Sequence, residues 1–318
     1  MIVRRKISKR TKAFCASILL ALNFANAQQI KYSDMDSWEK RLIEESMIIG
    51  NGIKEVYEIG QQRTVKGSKA RDRGDSPWET SSIYAHVSGI DKGSSTVFPE
   101  KRGDGYCARL ESKLESVKVL GFINLSCLAT GSIFTGYLDE PIKDADKPMT
   151  YMMQGVPFTG KPKALKFDYK ATVGGKRQKI TVTKTTDLEG KNEAEVSVIL
   201  QKRWEDSNGN LHAKRIATGY IRIGESTSEW INGYTLPIRY GNIENEPDFK
   251  DYMGANYAEY PIWGKNSKGK KMKIDEAEYG TIDDTPTHII IRFSCGYGGA
   301  FVGATGDKLW VDNVELVY

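Results

Sequence analysis

Apolar and polar side chains alternate along much of the chain from about residue 29 onward. Residues 163–171 read Lys-Ala-Leu-Lys-Phe-Asp-Tyr-Lys-Ala, and residues 194–204 and 211–223 carry similar runs. A period of two is what a half-buried β-strand requires, because successive side chains point to opposite faces of a sheet. Asn208-Gly209 lies between the last two runs. Since both residue types tolerate positive φ, this pair predicts a β-hairpin.

Two further runs extend the strand pattern towards the end of the chain. Residues 287–294 have the apolar character of a central strand, and residues 308–318 alternate again. Helical periodicity is limited to short candidates at 36–47 and 246–253. Many strands, closely spaced turn signals and so little helix predict an all-β protein. We expect a β-sandwich of the jelly-roll type, with elaborated loops and at most short helices.

Residues 1–27 have the layout of a secretory signal peptide. Six basic residues come first, an apolar stretch from Ala13 to Phe24 follows, and Ala25-Asn26-Ala27 supplies a small-x-small cleavage pattern. The stretch is shorter than the roughly 20 apolar residues that span a bilayer. An uncleaved anchor and lipidation at Cys15 are the weaker alternatives. The sequence therefore predicts an exported protein, in the periplasm or at the cell surface or outside the cell, with no transmembrane segment after cleavage.

The mature chain of residues 28–318 has little net charge and no Pro-rich or Ser-rich linker. We expect a single domain, with an N-terminal subdomain at about 28–115 as the alternative.

The full chain has 46 Lys and Arg against 41 Asp and Glu, a formal net charge of +5. Cleavage would remove six basic and no acidic residues, which turns this charge into −1. Nucleic acid is therefore not an expected partner, because its binding needs a clustered positive field. The oligomeric state is left open.

The mature chain contains three cysteines, Cys107, Cys127 and Cys295. An odd number permits at most one disulfide and leaves at least one free thiol. No Cys-x-x-Cys pair occurs and the three histidines are isolated from one another, which argues against a zinc site. We expect the cysteines to be small buried strand residues, and the fold to be stabilised by its core rather than by cross-links.

Three segments resemble proteins of a known family. Leu309–Leu316 (Leu-Trp-Val-Asp-Asn-Val-Glu-Leu) looks like the closing strand of carbohydrate-binding jelly-roll modules. Gly155–Leu165, followed by Phe167-Asp168-Tyr169-Lys170, is similar to the signature of the "putative carbohydrate metabolism domain" family, which gut Bacteroidetes secrete. Asp34–Trp38 resembles that family's Asp-Phe-Glu-x-Trp start, with Met and Asp in place of Phe and Glu. The resemblance covers most of the mature chain. It implies a β jelly roll and a role in handling glycans.

The resemblance also implies a structural calcium ion. Related sugar-binding modules hold this ion between an acidic residue near the first strand and the Asp of the last strand. Asp36 and Asp312 stand at the matching positions, and Asp104 could add a ligand from a loop. Calcium takes about six to eight hard oxygen ligands, which carboxylates and carbonyls supply. In the alternative interpretation, Asp312 bonds to an edge loop without a metal.

Aromatic residues in loops are the candidates for binding a sugar. Sugars present apolar C–H faces that stack on aromatic rings, while their hydroxyls need polar partners. The densest aromatic group lies in a Gly/Pro/Asn-containing stretch at 252–263, and a Trp occurs in Asp-Ser-Pro-Trp-Glu-Thr at 75–80. In the alternative interpretation, such rings plug the ends of a sandwich. The candidate ligand-binding residues are Trp78, Tyr252, Tyr257, Glu259, Tyr260 and Trp263.

Three functions remain open at this point. The favoured one is non-catalytic binding of a polysaccharide or oligosaccharide by a secreted jelly-roll protein. The second is a glycoside hydrolase or lyase that uses a carboxylate pair on the same scaffold. With so many acidic residues the sequence assigns no catalytic pair, although Glu79 and Glu259 lie beside candidate rings, and whether the protein is an enzyme stays open. The third is a structural or adhesive component of the cell surface.

Overall fold

A computed structural model describes residues 27–119 and 123–318. The predicted signal peptide therefore lies outside the described residues, apart from Ala27. About 54% of the chain is strand and 4% is helix, which confirms the all-β prediction. No helix of the described part is long and apolar enough to cross a membrane.

The described residues form twenty-five strands and three short 3₁₀ helices. In chain order the strands are β1 Trp38–Glu44, β2 Ile53–Ile59, β3 Arg63–Lys66, β4 Trp78–Thr80, β5 Ile83–Val87, β6 Ile90–Ser94, β7 Val97–Arg102, β8 Gly105–Val119, β9 Ile123–Thr130, β10 Ser132–Leu138, β11 Met152–Gln154, β12 Val156–Pro157, β13 Ala164–Thr172, β14 Lys176–Ile180, β15 Thr185–Lys191, β16 Ala194–Glu205, β17 Leu211–Ile223, β18 Ile231–Pro237, β19 Arg239–Tyr240, β20 Trp263–Lys265, β21 Lys271–Lys273, β22 Asp275–Tyr279, β23 His288–Ser294, β24 Val302–Gly303 and β25 Lys308–Val317. The helices span Met47–Ile49, Pro148–Tyr151 and Asp251–Met253.

Two large sheets make up most of the fold. The larger has eleven strands in the order β19-β17-β16-β23-β10-β11-β20-β21, with β12, β22 and β4 attached to its sides. The smaller has six strands in the order β18-β13-β25-β8-β7, with β9 attached to β8. The predicted hairpin is confirmed, since β16 and β17 pair antiparallel and Gly209 has a positive φ of 85° in the turn between them.

The core lies between these two sheets. The larger sheet contributes alternate buried residues such as Val196 and Val198 from β16, and the smaller sheet contributes Leu309 and Val311 from β25. The rings of Phe167 on β13 and Phe293 on β23 meet edge to face, with centroids 5.1 Å apart. This arrangement confirms the predicted β-sandwich, and it explains why period-two alternation dominates the sequence.

One predicted helix is wrong. Residues 36–47 contain strand β1, which pairs with β2 and β3 in a separate three-stranded sheet. The charged residues Glu39 and Arg41 of this strand are both buried in ion pairs, so the polar positions of the run do not mark a solvent-facing side. In the second candidate, 246–253, only Asp251–Met253 is helical, as a single 3₁₀ turn.

The N-terminal part of the described chain contributes strands to both large sheets. β4 pairs with β10 in the larger sheet, while β7 pairs with β8, which pairs with β25 in the smaller one. The single domain, with its alternative subdomain at 28–115, stays a prediction.

Candidate functional site

Five tyrosines and three arginines converge on the outer face of the eleven-stranded sheet. We call them the tyrosine–arginine cluster: Tyr220, Tyr252, Tyr257, Tyr260, Tyr297, Arg177, Arg222 and Arg292. They come from β14, β17, β23, the segment 251–262 and the turn after β23. The site therefore joins parts of the chain that are far apart in sequence.

Strand alternation places the base of the cluster. Tyr220 on β17 and Arg292 on β23 are both register partners of Ser197 on the intervening strand β16. These three side chains consequently share one face of the sheet, opposite to the buried Val196 and Val198. The segment 251–262 covers this face.

Rings and guanidinium groups stack on one another across the cluster. The guanidinium carbon of Arg222 lies 3.7 Å from the ring centroid of Tyr252 and 3.9 Å from that of Tyr297. The guanidinium carbon of Arg177 lies 4.0 Å from the centroid of the same Tyr297 ring. Cation–π contacts of this kind are attractive and hold planar groups in register. Tyr257 differs from Tyr252, Tyr260 and Tyr297, because no described cation lies over its ring; it contacts Tyr260, with 6.0 Å between the ring centroids.

A buried ion pair supports the stack from below. Glu195 accepts hydrogen bonds from both Arg292 and Arg222, the latter at 3.2 Å. The guanidinium of Arg292 lies 4.1 Å from the ring centroid of Tyr260. Burial lowers the pKa of Arg292 to about 10, so the group remains a cation at neutral pH. One carboxylate thus serves two arginines.

A second ion pair holds the segment 251–262 against the sheet. Glu276 accepts hydrogen bonds from Arg215, from Gln201 at 2.5 Å and from the backbone N–H of Asn256 at 3.2 Å. Burial acts to raise the pKa of Glu276, but the charge and hydrogen bonds of Arg215 outweigh it and hold this pKa below its usual value. Glu276 is therefore an ionised structural group.

The turn Cys295–Ala300 completes the cluster. The backbone N–H of Gly298 donates a hydrogen bond to the hydroxyl oxygen of Tyr260. Gly298 has φ of 99°, and a Cβ added there would lie 2.3 Å from Nη2 of Arg177. Only glycine combines this backbone conformation with this close approach. The Gly-rich run therefore positions the hydroxyl of Tyr260 and leaves room for the guanidinium of Arg177.

Two cavities adjoin the cluster. A small one of about 40 Å³ is lined by Tyr220, Tyr252, Tyr257 and Tyr260, and the buried hydroxyl of Tyr220 has no hydrogen-bond partner among the described residues. A cleft of about 480 Å³, lined mainly by apolar side chains, has Tyr260 and Arg292 in its wall. This volume is in the range of ligand-binding cavities.

Comparison with known proteins identifies the family. The family model described as "Putative carbohydrate metabolism domain" matches residues 54–317, which include the whole tyrosine–arginine cluster. The chain belongs to the putative carbohydrate metabolism domain family. No curated protein matches it.

Two solved structures are similar to this member of the family. One is a putative glycoside hydrolase from Bacteroides thetaiotaomicron, at 18% identity and a TM-score of 0.43, covering 70% of this chain and 57% of that one. The other is a putative glycoside hydrolase from Bacteroides vulgatus, at 15% identity and a TM-score of 0.42, covering 93% of this chain and 96% of that one. This chain therefore spans little more than half the length of the first.

Four of the six predicted ligand-binding residues come together in this family member. Tyr252, Tyr257 and Tyr260 belong to the cluster, and Glu259 is exposed in the same segment. Burial raises the pKa of the Tyr257 phenol, and the carboxylate of Glu259 adds to this rise. The structure thus brings these three rings and this carboxylate together, and their role in binding a ligand stays a prediction.

The two predicted tryptophans lie elsewhere. Trp78 is completely buried in the main core, and its indole N–H donates a hydrogen bond to the carbonyl oxygen of Lys31 at 3.0 Å. It offers no ring face to a ligand, because it belongs to the packed interior of the sandwich. Trp263 points away from the cluster: its neighbours Ile262 and Gly264 face the small core around Ile274.

The three predicted calcium ligands lie around the turn between β7 and β8. Asp36 accepts a hydrogen bond from the backbone N–H of Tyr106 at 2.7 Å, and Asp312 pairs with Arg102 at 2.5 Å. Asp104 is exposed at the turn itself. Within the residues that the structure describes, no three acidic, His or Cys side chains are arranged to hold a metal ion. The calcium site stays a prediction, which thermal melts in calcium and in EDTA would test.

Sequence reasoning missed the other half of the cluster. Tyr297 lies in the Gly-rich run Cys295–Ala300, a signal of the same kind as the Gly/Pro/Asn-containing stretch that pointed to Tyr257. Arg177, Arg222 and Arg292 gave no signal by themselves, because isolated arginines in strands are common on solvent-facing positions. Register between distant strands decides that they meet.

Proposed function

We propose that this protein binds a glycan at the tyrosine–arginine cluster without cleaving it. The observation that carries the proposal is the convergence of Tyr252, Tyr257 and Tyr297, all partly exposed, from separate segments onto one surface. Membership of a carbohydrate-metabolism family makes a sugar the natural ligand for such a surface. The cluster is held by buried ion pairs and a glycine turn, so it is ordered before any ligand arrives, which reduces the entropy lost on binding.

Tyr257 is the ring best suited to stack on a sugar. The rings of Tyr252 and Tyr297 already face Arg222, whereas no described cation covers the ring of Tyr257. Tyr257 lines the small cavity together with Tyr220, whose buried hydroxyl has no hydrogen-bond partner among the described residues. A hydroxyl group of the ligand, or a water molecule that bridges to it, would satisfy this buried donor.

The carboxylates of the site favour binding over hydrolysis. A glycosidase needs one carboxyl group with a raised pKa to act as the acid, opposite a second carboxylate. Glu195 is committed to two arginines, and Glu276 has a lowered pKa. Glu79, which the sequence suggested together with Glu259, is buried in an ion pair with Arg71, with 2.8 Å between its carboxylate oxygen and the guanidinium nitrogen. Hydrolysis or cleavage by a lyase remains the alternative, and a structural or adhesive role is the third.

The experiment compares the wild-type protein with Tyr257→Ala on an array of plant, host and microbial glycans. We expect Tyr257→Ala to weaken binding about tenfold or more, equivalent to about 1.4 kcal/mol, while the melting temperature is unchanged. Tyr106→Ala is the matched control, because Tyr106 is a partly exposed ring that lies under Lys101 on the other sheet. Equal affinity of the wild type and Tyr257→Ala would overturn the assignment of the site.

A reducing-sugar assay on the same glycans separates the functions. We expect no new reducing ends from any glycan that the protein retains. Release of products would establish the enzyme alternative. Retention of no glycan together with no product release would contradict both and favour the structural or adhesive role.

A further inference from the structure

We propose that the glycan is anionic, and that Arg177 binds its carboxylate or sulfate group. This inference rests on the proposed function and adds the chemical class of the ligand. The structural feature behind it is an arginine that the fold positions at the cluster without giving it a counter-ion.

Arg177 lacks the carboxylate partner that the neighbouring cations have. Arg222 and Arg292 both pair with Glu195, and Lys176, next to Arg177 on β14, pairs with Asp187 at 2.5 Å. The Nε atom of Arg177 is buried and has no hydrogen-bond partner among the described residues, and no described carboxylate is in ion-pair contact with its guanidinium. A guanidinium that is partly removed from water without an acceptor is unfavourable. An anionic ligand would supply the missing acceptor.

The stacking of Arg177 fixes the direction in which it can bind. Its guanidinium lies 4.0 Å from the ring centroid of Tyr297, and the hydroxyl of Tyr297 donates to the carbonyl oxygen of Lys191 at 3.3 Å. Because the face of the guanidinium is covered, the in-plane N–H groups are the ones left to bind a ligand. That fork matches two oxygens of a carboxylate or a sulfate.

The position of Arg177 relative to the proposed sugar-stacking ring is also suitable. Burial raises the pKa of Tyr257, while the charges of Arg222 and Arg177 act in the opposite direction, so both cations are within electrostatic reach of this phenol. A sugar on Tyr257 could therefore present an acidic substituent towards Arg177.

The acidic residues nearby limit where the anion can lie. Glu195 is shared by two arginines, Glu259 is exposed beside Tyr257, and Glu193 lies against Gly224. Glu193 and Glu259 would repel an anion that approached their carboxylates. Neither pairs with Arg177, so the favourable position for the anion is at this guanidinium, beside Tyr297.

The test uses an array with three arms on the wild-type protein. The first arm holds polygalacturonate and hyaluronate, which carry carboxylates, and the second holds sulfated galactan. The third holds neutral galactan, mannan and dextran. We expect retention of acidic glycans that falls as salt concentration rises, and the first two arms tell a carboxylate from a sulfate. Retention of neutral glycans alone would overturn this inference while the proposed function stands. Retention in no arm would overturn both.

Variants of Arg177 then test the residue itself on the retained acidic glycan. We expect Arg177→Gln to weaken binding about tenfold or more and to flatten its salt dependence, and Arg177→Lys, which keeps the charge but loses the fork, to lie between. Arg239→Gln is the control, since Arg239 is a partly exposed arginine that pairs with Asp248 away from the cluster. Unchanged affinity in Arg177→Gln, with a wild-type melting temperature, would contradict the assignment.

Discussion

The indole of Trp78 contributes to the core rather than to a ligand surface. Its side chain is 0% exposed although it begins a strand of only three residues, and its N–H group is satisfied by Lys31. Trp310 is the opposite case. It is partly exposed on the outer face of β25, where its N–H group donates a hydrogen bond to Glu100 at 2.9 Å and Lys170 lies over its ring.

These two tryptophans make a matched pair for a stability measurement. We expect Trp78→Ala to lower the free energy of unfolding by about 3–5 kcal/mol, because it leaves a large cavity in a packed interior. Trp310→Ala should lower it by less than half as much, since its ring is partly solvated already. Urea unfolding of both variants checks this, and equal losses would contradict the burial difference.

Some residues of the site could be predicted from local sequence, and others could not. Tyr252, Tyr257 and Tyr260 were predictable because they are close together in one stretch rich in turn-forming residues. Trp78 had the same local signals, yet its burial depends on which strand β4 pairs with, and short-range pattern carries no information on that pairing. The role of Arg177 depends on a glycine turn more than a hundred residues away.

At the scale of elements, buried charges attach the N-terminal three-stranded sheet to the sandwich. Arg41 of β1 pairs with Glu58 at 3.2 Å and with Glu140 at 2.7 Å. Arg71 pairs with Glu79 of β4 at 2.8 Å. Burial raises the pKa of Glu58 well above its usual value, and the charge of Glu79 adds to this rise, while both arginines oppose it. The two arginines therefore offset part of the free energy that burying these carboxyl groups costs.

Two arginines that share Glu39 test this attachment. Arg71 is 2% exposed and Arg63 is 32% exposed at the side chain. We expect Arg71→Leu to lower the free energy of unfolding by about 3–5 kcal/mol, because it leaves the buried carboxyl group of Glu79 without its ion-pair partner. Arg63→Leu should lower it by less than about 1 kcal/mol. Hydrogen exchange should rise in β1, β2 and β3 of the Arg71 variant specifically. Protection that is lost evenly across the sandwich would contradict this local role.

At the scale of the whole molecule, alternation predicted the two-sheet architecture but not the strand order. Each run of period two reports that one face is buried, and two such faces can only cover each other. The pairing of β16 with β23, almost a hundred residues further along, leaves no trace in either run. The sandwich follows from local pattern, whereas the site follows from pairing over long distances.

The same architecture predicts how the three thiols of the described chain behave. Cys107, Cys127 and Cys295 are free, so the melting temperature should be the same with and without a reductant. Burial raises the pKa of all three thiols, to about 12 for Cys107 and Cys295. Cys127 differs in that it is partly exposed, in the wall of the large cleft. Maleimide should therefore label Cys127 alone in the native protein and all three cysteines in urea. Labelling of Cys295 without denaturant would mean that the two sheets separate under native conditions. A melting temperature that falls on reduction would mean that a cross-link, rather than the packed core, holds the sheets together.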